Sequence, residues 1–161
     1  MEKKTLTKEQ LSKRFFRRLK DYRNSRKLIF FDEVNFKQAN LQIQINEDDV
    51  PIVLLKLKNS EQILITIRAF YHIKKSVVTK IDAKDLEECK YLPHENALEL
   101  RQKSLFHKLK NKLELTFLIG TVRIQTKNNS FIDVYMSRAK YLFVLEDMIR
   151  TLRMYSDYDI V

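Results

Sequence analysis

One glycine, Gly120, and two prolines, Pro51 and Pro93, are all that this chain of 161 residues holds of either. Phosphate-cradling loops need several glycines so that backbone N–H groups can close on the anion, so neither a dinucleotide fingerprint nor a P-loop can be drawn. A strained Gly-x-Ser-x-Gly nucleophile turn is absent as well. Cysteine is equally scarce. Cys89 alone allows no intrachain disulfide and no Cys-based zinc cluster. The neighbouring Glu87 and Glu88 would raise a thiol pKa rather than lower it, so Cys89 reads as a small, partly buried residue.

Long apolar runs are missing too. The longest are of the Tyr141-Leu142-Phe143-Val144-Leu145 kind, whereas crossing a bilayer takes about 20 residues. Met1-Glu2-Lys3-Lys4 leads into a polar, charged stretch instead of an apolar signal core. The expectation is a soluble, cytoplasmic protein, with peripheral membrane association left open.

Sites for reaction chemistry are thin. His72, His94 and His107 are far apart and form no metal-ligand pair. The acids Asp32-Glu33, Glu47-Asp48-Asp49 and Asp82/Asp85/Glu87/Glu88 read as solvated turns rather than paired carboxylates for acid–base work. No catalytic residue, cofactor or metal is expected, and no enzymatic role.

What is present is charge, and it is polarised. The chain carries a formal +10. Its first 27 residues hold eleven Lys/Arg and three acids, a net of +8; the other 134 hold 20 basic and 18 acidic residues, a net of +2. Charge this localised faces an anion: a lipid surface, nucleic acid or an acidic protein patch. Thr7 with Gln10 forms a capping box at the start of a helix over 7–26. Leu11, Phe15, Leu19 and Tyr22 share one arc of that helix, with Lys13, Arg17 and Lys20 opposite and Arg14 and Arg18 flanking. Lys13, Arg14, Arg17, Arg18, Lys20 and Arg23 are the candidate residues for an anionic partner.

Beyond Leu28 the period shortens. Asn40–Ile45 alternates strictly, the pattern of a half-buried strand. Residues 52–57 and 62–73 are β-branched and aromatic-rich and read as a hairpin joined through Lys58–Glu61. Ser76–Ile81, Leu113–Ile119, Val122–Thr126 and Phe131–Met136 read as further strands, with Asp82–Glu88 an acidic turn or short helix. Gly120 marks a bulge or bend, and Lys127–Ser130 is a turn in which asparagine tolerates positive φ. Residues 92–111 are the least readable part: Ala97–Lys110 has helical composition but a poor stripe and reads as an insertion or a loop with a helical turn. The last element is a helix from about Arg138 to Tyr155, with Tyr141, Val144, Leu145, Met148, Ile149, Leu152 and Tyr155 on one face. Phe143 and Met154 lie on its polar side, where the N-terminal helix is expected to cover them; with Phe16 they are also candidates for a homodimer contact.

Antiparallel strands closed by one C-terminal amphipathic helix resemble the bacterial pleckstrin-homology-like (PH-like) and GRAM-like group. The similarity is carried by Ile63–His72 followed by Thr79–Leu86, and by Val122–Met136 followed by the helix. It covers residues 50–155 and implies an α+β fold: a PH-like antiparallel β-barrel or strongly bent sheet capped by the C-terminal helix. Residues 1–27 would be a basic helical extension and 28–161 the PH-like domain. Of the basic pattern that phosphoinositide-binding members carry around the first hairpin, Lys56, Lys58 and Arg68 are present, and Thr66 stands where a second basic residue is expected. The expected role is a non-catalytic binding module for an acidic protein surface or an anionic membrane, the alternative being nonspecific nucleic-acid binding through the basic helix.

Overall fold

The computed structural model describes residues 5–32, 41, 43–58, 60–93, 120–136 and 139–161. The architecture is α+β, as expected. A two-residue strand β1 (Thr5–Leu6) leads into helix α1 (Lys8–Arg18). Five strands follow: β2 (Leu28–Phe30), β3 (Pro51–Lys56), β4 (Gln62–Thr66), β5 (Ala69–Lys74) and β6 (Val77–Asp82). A 3-10 turn at Ala83–Asp85 precedes β7 (Leu86–Pro93), β8 (Gly120–Thr126) and β9 (Phe131–Met136). Helix α2 (Ala139–Tyr155) and strand β10 (Asp159–Ile160) end the chain.

The expected barrel does not close among the described residues. Strands β2-β3-β4-β5-β6 form one antiparallel sheet and β7-β8-β9 another, with no ladder between them. The break falls at the Ala83–Asp85 turn, where Ala83 N–H donates to Arg68 O at 2.8 Å and Asp85 O accepts from Lys127 N–H at 2.9 Å. Those bonds hold the chain in a corner, so β7 leaves β6 and starts a new sheet.

The strand expected over 62–73 is also divided, and Thr66 is the cause. Its Oγ1 donates to Asp49 Oδ2 at 2.7 Å and accepts from Ala69 N–H at 2.9 Å. This side chain replaces ladder partners and bends the backbone at Ile67 and Arg68, making a β4–β5 hairpin without glycine. In the β8–β9 hairpin Asn129 has φ 63°, as its turn position requires.

The alternation over 40–45 has a different outcome. Leu41 and residues 43–45 join no strand; Leu41, Ile43 and Ile45 lie half-buried against Leu54, Leu64, Ala69, Tyr71 and Ile73 on one face of the five-stranded sheet. Alternation records two faces, not a hydrogen-bonded neighbour. The other face of that sheet carries Val53, Leu55, Ile63, Ile65 and Phe70 into the main core. Covered on both sides, β3 and β4 have nearly continuous apolar sequence rather than alternation.

All seven residues of the predicted C-terminal stripe are buried, Leu145 and Met148 completely. They pack α2 against β7, β9, the Ala83–Asp85 turn and α1. Phe143 and Met154 are 48% and 41% exposed, so α1 does not cover them as expected. Leu113–Ile119 and the segment from Ala97 to Lys110 lie outside the described residues.

Candidate functional site

The capping box forms as predicted: Thr7 Oγ1 accepts from Gln10 N–H and Gln10 Oε1 accepts from Thr7 N–H, each at 3.1 Å. Glu9 in the first turn and Arg17 and Arg18 in the last complement the helix dipole. The helix is shorter than the pattern suggests. It ends at Arg18 and tightens into a 3-10 turn at Lys20–Tyr22 that delivers Tyr22 to α2.

Helix α1 is fixed to the body along its whole length. Leu11, Phe15 and Leu19 are fully buried in the main core, and the Phe15 and Tyr155 rings lie 5.9 Å apart. Before the helix, β1 pairs in parallel with β10, Leu6 opposite Ile160. After it, Tyr22 Oη donates to Asp147 Oδ2. The apolar face is thereby occupied, and the basic face turns outward.

The six candidate cations are not equivalent. Arg17 and Lys20 are exposed and have no carboxylate partner among the described residues. Arg14 is exposed and lies 5.7 Å from the Tyr155 ring; Arg18 is exposed and directs Nη2 to Met154 Sδ at 3.5 Å. Lys13 pairs with Glu9 at 2.6 Å, and that bonded ammonium holds the Glu9 carboxyl below its ordinary value. Arg23 is engaged with the body. It forks onto Asp32, Nη1 to Oδ1 at 3.3 Å, and stacks between Phe16 and Phe30 at 5.7 and 5.0 Å. Periodicity places the six around the polar side of the helix, but only the folded contacts with Asp32, Phe16 and Phe30 separate Arg23 from Arg17.

The basic residues of the first hairpin are dispersed by comparison. Lys56, Lys58 and Arg68 are exposed, while Thr66 is fully buried beneath the β4–β5 turn. A lysine or arginine at that position would lose the turn's hydrogen bonds and bury a charge. The departure from the phosphoinositide pattern is thus built into this corner of the sheet.

The remaining titratable groups take structural places. His72 is buried in β5 with Nε2 2.5 Å from Oε1 of Glu61, the residue just before β4, a pairing that residue spacing does not announce. His94 and His107 fall outside the described residues. Among the described residues no three His, Cys, Asp or Glu converge as a metal site. Asp48 pairs with Lys8 at 2.9 Å and Asp82 with Lys80 at 2.7 Å. Asp49 is buried, and loss of solvent raises its carboxyl pKa even though Thr66 and Val50 N–H donate to it. Burial, then the nearby Glu146 charge, pushes the Cys89 thiol up to about 12. That thiol is a poor nucleophile at neutral pH.

A polar cleft of 620 Å³ opens between the β4–β5 corner and the C-terminal segment. It mixes Asp48, Asp82 and Asp159 with Arg68, Lys80 and Lys84, so it offers no field of one sign. Among the described residues, no helix is long and apolar enough to cross a membrane. Compared with known proteins, the chain matches no protein-family model, no curated protein and no solved structure.

Proposed function

We propose that this chain is a PH-like, non-catalytic binding module that docks an acidic protein surface on the outer face of α1. The observation that carries the reading is the state of that helix. Leu11, Phe15 and Leu19 of its apolar stripe are fully buried and Tyr22 is half-buried, while Arg14, Arg17, Arg18 and Lys20 stay exposed. A helix that lies in a membrane interface sinks its apolar face among the lipid chains; the main apolar face of α1 is turned into the protein core instead. A cationic face on a rigid support suits a rigid acidic surface, giving fast encounter and fixed register. The PH-like part of the proposal is supported by two successive antiparallel sheets that share one apolar core with the C-terminal helix.

Deleting residues 1–27 is a poor test, because it would uncover the core against which Phe15 packs. Charge reversal at exposed positions is cleaner. Wild type should bind poly-L-glutamate with an affinity that falls steeply with salt, and Arg17→Glu with Lys20→Glu should weaken it about tenfold or more without changing the unfolding midpoint. Unchanged binding by that variant would remove α1 from the mechanism. Vesicles containing phosphatidylserine and single-stranded oligonucleotides serve as the competing probes. Preference for the vesicles would favour membrane docking, and preference for the oligonucleotide would favour phosphate-backbone binding.

A further inference from the structure

A second group of cations converges at the far end of α2, from parts of the sequence that show no relation to one another. Lys127, Arg150 and Arg153 line one cleft of 350 Å³. Lys127 comes from the β8–β9 turn, which is anchored by its N–H bond to Asp85 O and by the Thr126, Asn128 and Ser130 side chains. Arg150 and Arg153 sit three residues apart on α2, whose buried stripe fixes the rotation of the helix. Arg18 reaches the same place from α1 through Met154, another lining residue.

Helix C-termini repel anions through their exposed carbonyl groups. Here Arg153 O accepts from Ser156 N–H at 3.2 Å and from Ser156 Oγ at 2.8 Å, and Tyr155 O accepts from Tyr158 N–H at 3.2 Å. Those donors blunt the negative end of α2. Among the described residues of the lining, Asp157 is the one carboxylate, against three cations. Arg150 also meets Glu146 at 3.3 Å, but that pair is solvent-exposed and weak enough to be displaced.

We propose that this cleft binds a phosphate monoester. Two guanidinium groups and an ammonium around one hollow match a doubly charged, three-oxygen anion, which arginine contacts through paired N–H donors. Met154, an exposed apolar side chain in the lining, gives the organic part of the ester a surface. The volume lies at the lower end of the about 300–1,000 Å³ typical of small-ligand sites. The site is independent of the acidic-partner reading and shares with it only Arg18.

The test is NMR titration of the full-length protein with phenyl phosphate. Saturable shifts at Lys127, Arg150 and Arg153 are expected. Arg150→Gln with Arg153→Gln should weaken binding at least tenfold, whereas Asp157→Asn should tighten it. All these positions are exposed, and unchanged unfolding midpoints would verify intact folds. Arg17→Glu with Lys20→Glu should leave phenyl phosphate binding unaltered, which separates this site from the α1 face. Shifts that do not saturate at tens of millimolar, or that survive loss of both arginines, would overturn the proposal. Vesicles containing phosphatidic acid identify the source. Capture that depends on Arg150 and Arg153 supports a lipid monoester, and binding of phenyl phosphate without such capture supports a soluble one.

Discussion

Tyr22 Oη donates to Asp147 Oδ2 at 2.5 Å, joining the turn after α1 to the middle of α2 across 125 residues of sequence. Burial, with the Asp147 carboxylate second, pushes the phenol from its ordinary 10.0 up to about 12. The folded state therefore favours the protonated phenol. Its contribution is complete below the unfolded value and is lost as pH rises from about 10 through about 12. Tyr22→Phe should cost about 1 kcal/mol at neutral pH and remove this part of the alkaline decline. Urea unfolding of both proteins across the alkaline range measures it; parallel curves would show that the bond contributes nothing.

Thr66→Val should destabilise by about 2–3 kcal/mol, because the buried Asp49 carboxylate and the Ala69 N–H lose their partner. The pH dependence follows from Asp49. With its folded pKa raised by burial, the ionised carboxylate is a penalty at neutral pH that is relieved as pH falls toward the ordinary value of 3.8. Thr66 opposes that rise, so its loss should raise the Asp49 pKa further. The gap between wild type and Thr66→Val should narrow in acid, as read from denaturant midpoints at neutral pH and at about pH 4.

Phe15→Ala should cost about 3–5 kcal/mol, the value for a core aromatic, since the side chain is fully buried against Tyr155. Arg17→Ala, two residues on and exposed, should change stability by less than about 0.5 kcal/mol. Equal, small effects would mean that α1 is a detachable arm. A large difference would show that it belongs to the cooperative core.

Gly120 stands beside Tyr91, where an added Cβ would overlap the tyrosine ring. Its backbone φ is not positive, so close approach and not backbone freedom is what calls for glycine. Gly120→Ala should cost about 1–3 kcal/mol through overpacking. Tyr91→Val should recover part of that loss in a double-mutant cycle; additive losses would place the strain elsewhere.

The elements legible in the sequence are those whose cause lies within one or two turns of chain. The capping box of Thr7 and Gln10 spans three residues, and the α2 stripe repeats with the helical period. The β8–β9 turn shows itself in its asparagines. The division of 62–73 into two strands depends on Asp49, 17 residues before Thr66, and no local pattern contains it. Leu41, Ile43 and Ile45 have the right faces for a strand but cover a sheet instead, because side-chain alternation is satisfied equally by ladder and by layer.

The functional residues divide along the same line. Composition and periodicity alone determined that the N-terminal segment is a cationic amphipathic helix and that phosphate-binding glycine loops are absent. Tertiary structure alone decided that Arg23 is held by Asp32, Phe16 and Phe30, that Arg17 and Lys20 have no carboxylate partner among the described residues, and that Lys127 lines one cleft with Arg150 and Arg153. The physical reason is range. Helical period and capping act between neighbours in the chain, whereas the surroundings of a charge are set by whichever distant segments fold against it.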